Sequence, residues 1–143
     1  MTLRPATLHD AHALAALSGQ LGYPSPESRL AARLTAILGA EDHAVFVAAG
    51  AHGSVLGWIH VCEVHRVESD AFAEIGGLVV HEAHRRAGVG RRLVSEAAAW
   101  AAGRGMQKLR VRTRTDRAAA RAFYASIGFS AAKQQAVLDK RLW

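Results

Sequence analysis

The 143-residue sequence contains one cysteine, three prolines and no apolar run near the roughly 20 residues that cross a membrane. The single cysteine, Cys62, excludes an internal disulfide, and we expect it to act as a small buried hydrophobic residue. His9 and Asp10 stand where a signal peptide would need an apolar segment. These features predict a soluble cytoplasmic protein, and the length suits one domain over residues 1–143.

Motifs of several common enzyme classes are also absent. The sequence has no G-x-x-x-x-G-K-[ST], and GVGRRL lacks the third glycine of G-x-G-x-x-G, which disfavours nucleoside triphosphates and Rossmann cofactors. No serine has a G-x-S-x-G setting. His81 and His84 are three apart rather than four as in H-E-x-x-H, and His60 and His65 have no carboxylate or cysteine set around them in the sequence. We therefore expect no required metal.

Negative charge is scarce in the second part of the chain. Residues 1–83 hold 4 Lys or Arg and 9 Asp or Glu, whereas residues 84–143 hold 14 and 3. Ten of the arginines lie between Arg85 and Arg121. This asymmetry indicates an anionic partner for the carboxyl-terminal part, and the alternative is a solvated arginine-rich surface.

Hydrophobic periodicity predicts a mixed α/β (α+β) chain with the order β-α-α-β-β-β-α-β-α-β. Residues 43–64 read as a hairpin around the turn GAHG, and residues 71–113 as a parallel strand-helix-strand unit. The carboxyl-terminal segment 128–143 is predicted to add one or two strands. The other strands are expected at residues 3–7, 43–49, 54–64, 71–80 and 108–113, and the helices at about 11–21, 26–38, 89–102 and 120–127.

Glycines are concentrated between Glu74 and Gly90. Gly88 and Gly90 open the helix predicted after the fourth strand, where unpaired amides and the helix dipole favour an anion. Glycine permits close approach or a positive φ there, and the flanking arginines add guanidinium donors. A pyrophosphate fits these requirements. Gly76 and Gly77, inside the strand, could form a bulge, and the alternative is two core glycines under an aromatic ring.

Two motifs resemble those of one known family. RRAGVG, residues 85–90, fits R/Q-x-x-G-x-G/A, and Arg117-x-x-Ala120-x-x-Phe123-Tyr124-x-x-x-Gly128-Phe129 is similar to a second signature downstream. With FAEIGGLVV upstream, the chain resembles the GNAT superfamily of acetyl-coenzyme A-dependent N-acetyltransferases over nearly its whole length. Many members have Asn where this chain has Arg117, which leaves that contact open.

The resemblance implies a fold and a cosubstrate. The fold would be a mixed, mostly antiparallel central sheet whose fourth and fifth strands splay apart to form a cofactor cleft. Acetyl-coenzyme A would place its pyrophosphate on the amides of residues 86–91 and its pantetheine arm along residues 78–80, as an added strand would lie. The implied cofactor-binding residues are Leu78, Val79, Val80, Arg85, Arg86, Ala87, Gly88, Val89, Gly90, Arg91, Arg117, Ala120, Phe123 and Tyr124.

The resemblance also implies catalytic and acceptor residues. A backbone amide near Val79 or Val80 would face the thioester oxygen, and Tyr124 would protonate the leaving thiolate, unless it is only a packed helix aromatic. Glu74 would be the general base, with a surface carboxylate as the alternative. The acceptor, a primary amine of a small molecule or peptide, would meet Tyr23, Trp58, Glu63 and Glu74.

Other functions stay open at this point. The resemblance favours direct transfer in a ternary complex, without nucleic acid or membrane and with a possible homodimer. A non-catalytic acyl-coenzyme A sensor is the first alternative, supported if Tyr124 and Glu74 both point into the core. A nucleic-acid-binding module would explain the arginines, but no binding motif accompanies them.

Overall fold

The chain forms five strands and four helices, described over residues 1–143 by a computed structural model. Short 3₁₀ segments at Leu8–Asp10, Ala51–Gly53 and Glu82–His84 lie in the connections. None of the helices is both long and apolar enough to cross a bilayer. In chain order the elements are β1 (Thr2–Pro5), α1 (Ala11–Gln20), α2 (Glu27–Leu38), β2 (His43–Ala49), β3 (Val55–Val64), β4 (Phe72–Val80), α3 (Val89–Gly103), β5 (Leu109–Val111) and α4 (Ala118–Ser126).

The strands form one sheet in the order β1-β2-β3-β4-β5. The first three pairings are antiparallel, and β5 returns parallel to β4 after α3. The sequence prediction of a mixed, mostly antiparallel sheet is confirmed, as are the hairpin of β2 with β3 and the parallel unit β4-α3-β5. The parallel return follows from the crossover helix, because two parallel strands cannot be joined by a tight turn.

Helices cover the two faces of the sheet. On one face Trp58 packs against a buried cluster that includes Leu14 of α1, Leu34 of α2 and Val47 of β2. On the other, Gly57 faces Val89 and Leu93 of α3. Because successive strand residues point to opposite faces, every β3 side chain is assigned to one of two surfaces, named here the Trp58 face and the α3 face.

An ion pair fixes the entry into α1. Asp10 is buried, and its carboxylate accepts two hydrogen bonds from the Arg4 guanidinium, both at 2.9 Å, and one from the Thr7 amide at 2.8 Å. These contacts, the guanidinium bonds foremost, lower the pKa of Asp10. The pair ties the end of β1 to the start of α1.

The chain divides into two compact units, residues 1–111 and residues 112–143. The first holds the whole sheet with α1, α2 and α3. The second holds α4, followed by residues 127–143, in which no strand is present.

The prediction of one or two strands in residues 128–143 is wrong. Val137, Leu138, Leu142 and Trp143 are 80–96% exposed, and the backbone there joins no ladder. A strand requires a partner that supplies its hydrogen bonds, and an apolar run alone does not provide one. β5 is also shorter than predicted, since only residues 109–111 pair with β4.

Candidate functional site

The connection between β4 and α3 alternates the sign of its φ angles. Arg86 has φ 65° and Gly88 has φ 82°, whereas Ala87 between them is not in the positive region. Such alternation turns successive backbone N–H groups toward one concave side, a conformation that binds anions. A positive φ is unusual for a non-glycine residue and is confined here to Arg86 and His52. Residues 85–88 are called the anion turn below.

The anion turn leads directly into the N-terminus of α3. The Arg92 amide donates to the Gly88 carbonyl, the first hydrogen bond of that helix end, while no backbone carbonyl accepts from the amides of residues 87–90. These amides, together with the positive end of a 15-residue helix, favour a bound anion. Arg85, Arg86 and Arg91 are exposed around them. The arrangement can hold a phosphate or pyrophosphate group.

Beside the turn, β4 has a free edge. Its pairing with β5 covers only Ala73, Glu74 and Ile75, and residues 76–80 have no partner on that side. The β3 register explains the break: His60 pairs with Gly77 and Val61 with Ile75, so Gly76 is an extra, bulged residue. The predicted bulge and the predicted opening between the fourth and fifth strands are both confirmed. Residues 76–80 are called the open edge.

The register also fixes which amides reach the open edge. The His81 amide donates to the Leu56 carbonyl of β3. Because successive amides of a strand point to alternate sides, the amides of Val79 and Gly77 also point toward β3, whereas those of Val80 and Leu78 point away from it. The Val80 carbonyl lies on the same outward side, where it accepts from Arg85 Nε at 3.4 Å. Of the two amides considered from the sequence, Val80 is therefore at the open edge and Val79 is used inside the sheet.

The Trp58 face carries a row of polar side chains. Cys62 of β3 lies opposite His43 of β2 and Glu74 of β4, so the three are in register across three strands. His60, two residues before Cys62, shares this face, and its Nε2 is 2.8 Å from His43 Nδ1. Burial, and then the Glu74 and Asp42 carboxylates, raise the pKa of the Cys62 thiol. Burial and the neighbouring His43 lower the pKa of His60.

The model of the acetyltransferase (GNAT) family matches residues 9–129. The chain belongs to this family. No curated protein sequence matches it. The fold is similar to several solved acetyltransferases, and the most informative three cover nearly the full length of both chains.

One similar structure is a proposed acetyltransferase from Agrobacterium tumefaciens, 28% identical with a TM-score of 0.86, covering 98% of this chain and 100% of that one. A second is the aminoglycoside 6'-N-acetyltransferase AAC(6')-IG from Acinetobacter haemolyticus, 19% identical with a TM-score of 0.86 and 99% coverage of each chain. A third is the aminoglycoside N-acetyltransferase AAC(6')-Iy in complex with CoA, 20% identical with a TM-score of 0.84, covering 98% and 99%.

The residues expected to bind the cosubstrate of a GNAT protein fall into two groups in the structure. The first is continuous: residues 78–80 at the end of β4, 85–88 in the anion turn and 89–91 in the first turn of α3. The second is in the unit of residues 112–143, where Arg117 precedes α4 and Ala120, Phe123 and Tyr124 lie on it.

Tyr124 has an apolar aromatic setting. Its ring makes edge contacts with Phe123 and Phe129, with centroids 5.0 and 5.3 Å apart. The side chain is half-buried, and desolvation raises the pKa of its hydroxyl. A phenol in this environment stays protonated at neutral pH, which is the state a proton donor needs.

The predicted acceptor residues are not all brought together. Trp58 and Glu74 share the Trp58 face, and Tyr23 is 58% exposed in the connection between α1 and α2. Glu63 points to the α3 face, where it pairs with Arg104 at the end of α3. Glu63 therefore lies on the face opposite Trp58, because strand residues separated by an odd number of positions point to opposite faces.

Two sequence expectations about histidine and cysteine also change. His60 does have a cysteine beside it, since His43, His60 and Cys62 each offer a ligand atom and these atoms lie within 4.8 Å of one another. Cys62 is half-buried rather than buried. The signal was present in the hairpin: in antiparallel strands joined by a short turn, His43 falls near Cys62, and H-x-C places His60 on the same face.

Proposed function

We propose that this GNAT protein transfers an acetyl group from acetyl-coenzyme A to a primary amine of a small molecule or peptide, by direct transfer in a ternary complex. The observation that carries the proposal is the anion turn directly beside the open edge of β4. A diphosphate and a strand-like arm attached to it need these two features next to each other. Residues 1–143 would act as one catalytic domain.

In the proposed complex the diphosphate accepts hydrogen bonds from the amides of the anion turn and the first turn of α3. The pantetheine arm pairs with the outward amides and carbonyls of the open edge. In the unit of residues 112–143, the family resemblance implies cosubstrate contacts for Arg117, Ala120 and Phe123. The Val80 amide is the donor proposed to face the thioester oxygen. A fixed dipole of this kind stabilises acyl-transfer transition states by about 3 kcal/mol.

The chemistry requires three proton transfers. The neutral amine attacks the thioester carbon, a C–N bond forms, the C–S bond breaks and the thiolate takes a proton from Tyr124, while the second proton of the acylated nitrogen passes through water to the Tyr124 phenolate. Glu74 accepts the proton that the ammonium form of the acceptor must lose, directly or through water. Glu74 is half-buried on the Trp58 face, and the high pKa of Tyr124 keeps it in the donor form. Neither residue is fully buried, whereas a non-catalytic sensor would be favoured by both side chains pointing into the core.

A cationic amine is the favoured acceptor class. Residues 1–83, which include Tyr23, Trp58 and Glu74, carry an excess of carboxylates that would attract a positive charge. Two structural neighbours are aminoglycoside N-acetyltransferases, so aminoglycosides enter the first panel of acceptors together with polyamines and peptide amines.

The decisive test is thermal stabilisation by acetyl-coenzyme A, followed by free-thiol release over the amine panel. Bound ligand at 100 times its Kd stabilises the native state by about 2.7 kcal/mol, which a Tm measurement detects. No stabilisation would reject the proposal, and stabilisation without thiol release for any amine would reject the acetyl-transfer step.

Two variants separate the charge of the anion turn from its conformation. Arg86→Gly retains a residue suited to φ 65° but removes the guanidinium. Gly88→Ala retains the charges, and its Cβ meets no atom within 4 Å, so its cost is the strain of φ 82°, about 1–2 kcal/mol. Both should weaken acetyl-coenzyme A binding. Native affinity in both would rule out the anion turn as the diphosphate site.

A further inference from the structure

Three side chains with metal-binding atoms meet on the Trp58 face. His43 lies on β2, and His60 and Cys62 lie on β3, with one nitrogen or sulfur atom of each within 4.8 Å of the others. The backbone register imposes this grouping, because His43 is directly opposite Cys62 and His60 is the next residue on the same face. The grouping therefore depends on the sheet itself and not on a mobile connection.

We propose that His43, His60 and Cys62 bind a zinc ion, with the fourth coordination position facing Glu74. Two imidazoles and one thiolate form a borderline-soft donor set, which suits zinc better than magnesium or calcium. Three protein ligands with one further position is a common arrangement for zinc in proteins. The site is distinct from the anion turn and the open edge, but it lies beside Glu74, the proposed base, so a bound zinc ion would sit next to the acceptor amine.

The distances require only side-chain adjustment. Zinc bonds of about 2.0–2.1 Å to nitrogen and 2.3 Å to sulfur place tetrahedral ligand atoms roughly 3.3–3.6 Å apart. His43 Nδ1 and His60 Nε2 are 2.8 Å apart, so they would separate by about half an ångström, and the sulfur would move inward from at most 4.8 Å. Rotations about side-chain bonds supply such movements.

In each histidine, the ring nitrogen that would coordinate zinc faces the other histidine. A Cβ on Gly76 would lie 2.5 Å from His60 Nδ1, so the bulge glycine makes room for this ring while Nε2 faces His43. The other nitrogen of His43, Nε2, is 3.8 Å from the Asp42 carboxylate. A carboxylate behind a coordinating imidazole is a recurrent outer-shell feature of zinc sites.

The charges around the cluster favour a cation. Glu74 lies directly opposite Cys62 in the register of β4 with β3, and the Asp42 carboxylate is 3.8 Å from His43 Nε2. A divalent ion bound by the cluster displaces the thiol proton, and these two carboxylates attract its charge.

The test uses the full chain, free of any histidine tag and stripped with a chelator, titrated with Zn²⁺ by calorimetry. We expect one ion per chain and a Tm that rises with zinc concentration. Cys62→Ala and His60→Ala should each weaken zinc binding by more than about tenfold, because loss of even an outer-shell partner of a metal ligand commonly lowers metal affinity by about that factor. His9→Ala is the matched control, because His9 is exposed and outside the cluster.

Cobalt binding gives a spectroscopic signal that can be measured first on the native chain. Co²⁺ added to the native chain should give a thiolate-to-cobalt charge-transfer band in the near ultraviolet, and Cys62→Ser should remove it. Absence of zinc heat and of the cobalt band in the native chain would overturn the proposal. Zinc affinity unchanged in both Cys62→Ala and His60→Ala would do the same.

Discussion

Gly57 provides the most direct test of how the sheet and α3 shape the cosubstrate site. A Cβ at this position would lie 2.8 Å from the Val79 carbonyl oxygen and 3.2 Å from side-chain carbons of both Val89 and Leu93. The carbonyl belongs to β4 and cannot rotate away as a side chain would. Gly57→Ala must therefore displace the open edge, the start of α3, or both.

The expected cost of Gly57→Ala follows from these contacts. Overpacking a well-filled core by a methyl group costs about 1–3 kcal/mol. For a chain of this length each kcal/mol lowers Tm by roughly 3 °C, so we expect a fall of about 3–10 °C. Acetyl-coenzyme A affinity should fall too, because the two elements that move carry its proposed diphosphate and pantetheine contacts.

Gly19→Ala is the matched control. Gly19 lies in α1, has ordinary helical φ, and a Cβ there meets nothing within 4 Å. Alanine should stabilise that helix by about 0.5–1 kcal/mol and leave cosubstrate binding unchanged. Differential scanning fluorimetry with and without acetyl-coenzyme A measures both effects. If Gly57→Ala kept the native Tm and affinity, the close packing of β3 against α3 would be refuted.

Three further predictions concern single side chains. Tyr124→Phe should lower turnover about 10²–10⁴-fold with little change in acetyl-coenzyme A binding, and native turnover in thiol-release assays at every pH would remove it from the mechanism. Because desolvation raises the Tyr124 pKa, the native enzyme should keep its proton donor up to pH values above the ordinary 10.0. Glu74→Gln should lower turnover by a similar factor and speed alkylation of Cys62, whose thiol pKa is raised by burial and then by this carboxylate; full activity would refute the base assignment. Asp10→Asn should destabilise the fold by about 1.5 kcal/mol, discounted for the partial exposure of Arg4. Since the pKa of Asp10 is lowered in the folded state, its contribution to the free energy of unfolding is present above pH 3.8 and is lost as pH falls through the folded pKa. If the native and variant chains lost stability equally as the pH fell, the prediction would be contradicted.

The parts of the fold that sequence predicted well are those with local causes. The hairpin and the β4-α3-β5 unit follow from alternation, helical periodicity and short turns, all read within a few residues. The anion turn was predictable because Gly88 and its arginines combine conformational freedom with charge at a helix start. The bulge at Gly76 was also predictable, because glycine weakens the interior of a strand and often marks a bulge.

The errors arise where a distant partner decides the outcome. Residues 128–143 contain strand-forming residues, but a strand also needs a neighbour that the local pattern cannot identify. Glu63 lies on the face opposite Trp58, because it is five positions farther along the strand and an odd separation places side chains on opposite faces. The His43–Cys62 pairing required the register of a hairpin, which a single shifted residue would reverse.

The bulge at Gly76 connects the two sites physically. The extra residue ends the pairing of β4 with β5 and so exposes the open edge, while the missing side chain admits the His60 ring on the Trp58 face. Any side chain at Gly76 would press on His60 even if the bulge itself were retained, since the Cβ would be 2.5 Å from Nδ1. The absence of a side chain at Gly76 is therefore required by the packing of the His60 ring, and the bulge itself is set by the register of β4 with β3. The bulge therefore begins at the residue where the pairing of β4 with β5 stops, next to the edge on which acetyl-coenzyme A is proposed to bind.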